Sequence, residues 1–237
     1  MQKKYLLILS LILSFNIVCV QASIGLAKTN AILLAQAEDG EKTENSAKHP
    51  AIAIIKETQK AIDTANLEMF LGRVDVEALT NQVVGVFLNR LPSIADKMAE
   101  KGVLPPMLVL ASSAVNKGPN SMEYQTSKAF LAAAARQFLQ DGVSSGAFAG
   151  KKYNPSGILT DELFTGISKG RKELVYPQIE HAGKNTATVN ALFKDHGTGD
   201  VFPLVLRLQN NKGIWKIQQI ENIDSIFNTL EKQLDAQ

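Results

Sequence analysis

TATVNALFKDHGTGDVFPLVLRLQNNKGIWKIQQI, residues 186–220, decides the fold of this chain. Between Thr186 and Lys194, Ala187, Val189, Ala191 and Phe193 fall on one face, and Thr186, Thr188 and Asn190 on the other. A period of two is the strand period. The next run puts Phe202, Leu204, Leu206 and Leu208 on one face and Arg207 on the other, and a further run spans Ile214 to Ile220. His196-Gly197-Thr198-Gly199 and Asn210-Asn211-Lys212-Gly213 supply the turns. Links this short force neighbouring strands to be antiparallel. Upstream, Glu173 to His181 adds another strand through the turn at Gly183-Lys184-Asn185, giving a four-stranded meander. The Ala187 and Phe202 faces read as apolar, with no acid or base among them. Trp215 and Leu206 are expected on the sheet face that other elements cover.

Working outward, residues 50–141 read as helices. Pro50 suits a first helical turn, and Ile54, Ile55, Ala61, Ile62 and Ala65 share a face. A short element carries Leu67, Phe70 and Leu71. Asp75 is placed to cap a helix bearing Ala78, Leu79, Val83, Phe87 and Leu91, which Pro92 is expected to end. Pro105-Pro106 opens another helix, which stops at Gly118-Pro119. Ser121 caps a long one with Tyr124, Phe130, Leu131, Phe138 and Leu139, expected to end at Gly142. The Gly- and Ser-rich stretch 143–157 reads as a loop. A last helix, about 223–234, carries Ile223, Ile226, Phe227, Leu230 and Leu234. Helices first and strands second is the α+β order: N-terminal helices packed on a C-terminal four-stranded antiparallel meander, with a final helix.

The N-terminus has a different character. Lys3 and Lys4 precede an apolar run from Tyr5 to Val20, and Val20-Gln21-Ala22 offers small residues for cleavage. That pattern is a secretory signal over residues 1–22, so the protein is expected to be exported, to a periplasm or to the cell exterior or surface. Two alternatives stand beside it: cleavage at Ala35-Gln36-Ala37, or an uncleaved anchor, although the run is short for a membrane span. Cys19 lacks the small preceding residue and upstream Leu of a lipoprotein cysteine. Residues 23–49 read as a polar tether, leaving 50–237 as one domain.

The chain carries 25 Lys+Arg against 23 Asp+Glu. Both lysines of the leader depart with it, so the mature chain is neutral and has no electrostatic pull toward nucleic acid or anionic lipid. Contact with a membrane is expected only through an uncleaved leader. Cys19 is the only cysteine, so the mature chain can form no disulfide, thiolate nucleophile or Cys-bound metal site. Stability must come from a packed core, which about 190 residues can supply.

Asn185 to Val189, Val201 to Leu206 and Gly213-Ile214-Trp215-Lys216-Ile217 together resemble exported bacterial domains of the nuclear transport factor 2-like type. Val74-Asp75-Val76-Glu77-Ala78-Leu79 is similar to a junction in uncharacterised members. The resemblance implies a curved sheet around a helix-lined cone, over about residues 50–237. Members include isomerases, dehydratases, lipid carriers and plain binding modules, so the resemblance implies no single activity.

Enzymes of that type place an Asp, His or Tyr in the cone. Asp75, Tyr124, Tyr153 and Tyr176 are the residues here that could serve, but Asp75 is better explained as a helix cap, and a tyrosine on a helix, as Tyr124 is, is more often core with its hydroxyl at the rim. His49 lies in the tether, and His181 and His196 sit near opposite ends of the second strand as exposed turn residues without metal-ligand spacing. Neither a metal nor a cofactor is expected. The Gly142-Val143-Ser144-Ser145-Gly146 match to a nucleophile elbow lacks the strand that should precede it. Lys169, Arg171 and Lys172 read as a solvated basic cluster. Trp215 is core or the floor of a pocket. The expectation is a non-enzymatic binding or interaction module for a protein or an apolar small molecule, with Trp215, Tyr176 and Tyr124 as pocket residues. Its alternatives are an apolar-ligand carrier and an isomerase- or dehydratase-like enzyme. A filled cone, a dry apolar cavity and a cavity with a buried ionisable group respectively separate the three.

Overall fold

A computed structural model of the chain describes residues 49–100, 106–151 and 170–235. The leader, the tether up to residue 48, Pro105, Tyr153 and Lys169 lie outside them. Six helices are described: α1 (Pro50–Asp63), α2 (Leu67–Arg73), α3 (Val76–Glu100), α4 (Pro106–Asn116), α5 (Met122–Ser144) and α6 (Ile223–Asp235). The strands β1 (Lys172–Ala182), β2 (Thr186–Asp195), β3 (Asp200–Asn211) and β4 (Ile214–Ile220) form one antiparallel sheet in chain order. The fold is α+β, with helices before the meander and one helix after it.

Helix starts follow the sequence signals. Asp75 Oδ1 accepts from Ala78 N at 3.0 Å and Ser121 Oγ from Tyr124 N at 3.1 Å. Each satisfies a backbone donor that the first turn leaves orphaned. His49, expected in the tether, is instead the N-cap of α1: its Nδ1 accepts from Ala51 N at 3.2 Å.

Two helix ends differ from expectation. Pro92 lies inside α3, which runs on to Glu100. Leu88 and Leu91 before it, and Ile94, Ala95 and Met98 after it, are all buried. Packing of that continuous face outweighs the roughly 3 kcal/mol that an interior proline costs. Gly142 also lies inside its helix. Its role is close approach: a Cβ there would fall 2.2 Å from Phe148 Cζ. The left-handed residue after α5 is Gly146, φ +74°, whose N–H donates to Val143 O at 3.0 Å. The stretch after Ser144, expected to be loop, therefore begins with a 3-10 turn, Ala147–Ala149, that buries Phe148 against Phe138.

α1 packs on β1, β2 and β4, and α2 and α3 pack on β4; Trp215 and Leu206 lie buried on the inward face as the alternation requires. Helix side chains also serve the edge strands. Gln59 of α1 accepts from Leu174 N (2.7 Å) and donates to Lys172 O (3.2 Å). Gln82 of α3 accepts from Ile220 N (3.0 Å) and donates to Ile220 O (2.8 Å). The remaining edge of β4 is met by Val74, bridged to Ile217, and by Asp75 N, which donates to Ile217 O at 2.9 Å. Backbone groups of a sheet edge need partners when buried, and here they find them. Arg90 fastens α6 to α3 through Asp224 (2.7 Å) and Glu231 (2.9 Å), with its guanidinium 5.6 Å from the Phe227 ring centre.

Candidate functional site: an apolar cavity with a charged end

Between α1, α2, the start of α3, the sheet, and Leu139 of α5 with Phe148 of the 3-10 turn lies a cavity of about 60 Å³. Ile62, Phe70, Val74, Leu79, Phe193, Leu204, Leu206 and Ile217 contribute to its wall. Thr58 also lines it, but its hydroxyl is committed to Ile54 O at 2.8 Å. The cavity follows from the alternation of β2 and β3, which turns bulky side chains inward, and from the short helix α2 that roofs them.

At one end of this wall stand two charged residues that line it with their apolar atoms, their charged groups being turned to other partners. Lys172 and Glu173, the first residues of β1, both line the cavity. Lys172 Nζ lies 2.6 Å from Asp195 Oδ1, with side-chain exposures of 2% and 0%. Lys172 pairs with Asp195 across β1 and β2, and Asp195 with Asp200 across β2 and β3, so the three form one lateral row on the covered face. Burial pushes the Lys172 ammonium below the ordinary lysine value. The hydrogen bond to Asp195 and the negative charges of Asp195 and Asp200 pull the other way. Asp195 Oδ1 also accepts from Gly197 N at 2.8 Å. Among the described residues, the buried Asp200 Oδ2 accepts no hydrogen bond.

This row corrects the reading of the Ala187 and Phe202 faces as free of acid and base. Those faces continue through Asp195 and Asp200, and Lys172 stands on the same side. The basic cluster is corrected likewise: Lys172 is buried, and Arg171 is paired.

A second layer lies nearer solvent. His196 Nε2 is 2.8 Å from Glu173 Oε2, and Arg171 Nη2 is 3.5 Å from Glu173 Oε1. Arg171 also reaches both oxygens of Asp63, at 3.1 Å each. Gly170 permits this arrangement, since a Cβ there would fall 2.0 Å from Gly197 N. The close crossing lets His196 N donate to Arg171 O at 2.9 Å and sets the two side chains beside Glu173. His196 is therefore not only an exposed turn residue. It holds the carboxylate of Glu173 on the solvent side of the cavity's end.

The residues expected to line a pocket lie elsewhere. Trp215, 8% exposed, meets the His49 ring edge-on at 5.8 Å between centres. Tyr124 is buried on α5. Tyr176 is 55% exposed on β1, at a bulge with φ +52°, and its ring centre lies 5.1 Å from Lys194 Nζ. None of the three is among the residues lining this cavity. Asp75 serves as cap and edge partner, and His181 is exposed. Among the described residues, no group of three or more His, Cys, Asp or Glu is arranged to hold a metal, and no helix is long and apolar enough to cross a membrane.

What this arrangement can do chemically is limited and specific. Its wall can take an apolar group out of water at about 25 cal/mol per Å². Compared with known proteins, the chain matches no family model, no curated protein and no solved structure.

Proposed function

We propose that the domain is a non-catalytic binding module that accepts a small apolar group in the cavity beneath α1 and α2. The ligand is a small molecule, or a partner protein presenting a side chain. The observation carrying this reading is the cavity itself, walled by aliphatic and aromatic side chains around about 60 Å³. For scale, a dry cavity of about 150 Å³ holds a benzene ring. The volume here suits a short apolar group better than a whole acyl chain, which sets the binding module ahead of the lipid carrier. The ionisable groups at the cavity are engaged with one another, Lys172 with Asp195 and Glu173 with His196, which favours a structural over a catalytic use. The proposal places the protein outside the cytoplasm, on the strength of Lys3, Lys4, the apolar run and Ala22. It also retains the nuclear transport factor 2-like resemblance, supported by the order of helices, meander and intervening cavity.

Native mass spectrometry of protein purified from its host tests this reading. A co-purifying low-mass apolar ligand supports it, provided Val74→Phe, which fills the cavity, loses that ligand. Retention of the same ligand by Val74→Phe would overturn it.

A further inference from the structure

We propose that His49 is a pH-sensitive latch on the first turn of α1, closed when its imidazole is neutral and opened by a proton. Two contacts hold the ring. Its Nδ1 accepts the Ala51 N–H at 3.2 Å, and its face-to-edge packing on Trp215 sets the ring centres 5.8 Å apart at 72°. The first contact requires an unprotonated Nδ1, so it fixes the proton of the neutral ring on Nε2. Protonation removes that acceptor and orphans the Ala51 donor. It also sets a positive charge against the positive end of the helix dipole. Both effects have the same sign, so the protonated ring leaves the cap.

Among the described residues, the charged groups on the elements that pack against the ring are engaged elsewhere or face solvent. On α1, Glu57 is paired to Arg73 and Lys56 faces solvent. On β4, Lys216 donates to Leu71 O at 2.9 Å. Trp215 links the latch to the sheet, because its neighbour in the inward row, Ile217, lines the cavity. The inference stands on the His49 geometry and is independent of what the cavity binds.

Trp215 is the only tryptophan in the chain, so its emission reports on the surroundings of this one ring, His49 among them. The test follows that emission, and Ala51 amide exchange corrected for the intrinsic rate, on the full purified protein across the range where histidines titrate. His49→Asn keeps a capping oxygen and cannot titrate. The expected result is a sigmoidal emission change in the wild type, with Ala51 exchanging about fivefold faster at the acid end, in keeping with the loss of one cap. His49→Asn is expected to be flat in both. Wild-type emission that does not move overturns the latch, as does an equal titration in His49→Asn. Emission that moves while Ala51 exchange stays constant also overturns it, since the ring would then charge without letting go.

Discussion

Lys172 Nζ lies 2.6 Å from Asp195 Oδ1 with both side chains almost wholly buried, at the point where three strands of an otherwise apolar sheet face end side by side. A charge pair in such a place is expensive to break and cheap to replace. Removing one partner strands the other charge away from water.

Lys172→Met is therefore expected to cost about 3–5 kcal/mol, with Asp195→Leu similarly severe, while the double variant recovers much of the loss. Urea denaturation of the four proteins measures the cycle. Additive losses would show that the two charges are not energetically coupled.

The same lysine predicts a pH dependence. Burial holds its folded-state ammonium below the ordinary lysine value. Between those two values the unfolded chain binds more protons than the native one, so stability rises with pH across that alkaline window. The rise should be present in the wild type and missing in Lys172→Met. A fall with pH that depends on Lys172 would mean that its pairing outweighs its burial.

Trp215→Ala is expected to cost about 3–5 kcal/mol, as for large aromatic core side chains. Its ring fills space between the sheet and the start of α1, where His49 packs on it. A loss below about 1 kcal/mol would place the ring outside the core.

Gly142→Ala tests the close approach of Phe148. In an ordinary helix interior the change gains up to about 1 kcal/mol. Here the new methyl meets the ring, and the expected outcome is a net loss of about 1–3 kcal/mol from overpacking. Pairing it with Phe148→Leu should recover part of that loss. Stabilisation by Gly142→Ala alone would contradict the packing described.

Signals with a strict local period were legible in the sequence. The strands of Ala187, Leu204 and Trp215 run where alternation put them, because a one-residue slip would expose every inward side chain. The caps at Asp75 and Ser121 were legible for the same local reason. Pro92 and Gly142 were misread because their usual local meaning yields to packing by residues distant in sequence. Asp195 and Asp200 fell between the expected strands and the His196–Gly199 turn, although their parity with Phe193 and Phe202 continues the inward rows. Lys172 carries a similar signal, two residues before Leu174, but its burial depends on meeting Asp195 across the ladder. A paired charge deep in a core is invisible until the register joins its halves.

For the N-terminus, the proposal predicts that the exported protein begins at Ser23. Edman sequencing or intact-mass measurement reads this directly. A start at Glu38 would move cleavage to Ala37, and a retained Met1 would make the apolar run an anchor.

The central claim is that the cavity takes an apolar group. Methyl-resolved NMR during titration with xenon and then with short alkanes tests it most directly. The account predicts saturable shifts concentrated on Ile62, Val74, Leu79, Leu204, Leu206 and Ile217, and abolished by Val74→Phe. Shifts scattered over the surface, an absence of saturation, or unchanged binding in Val74→Phe would contradict it.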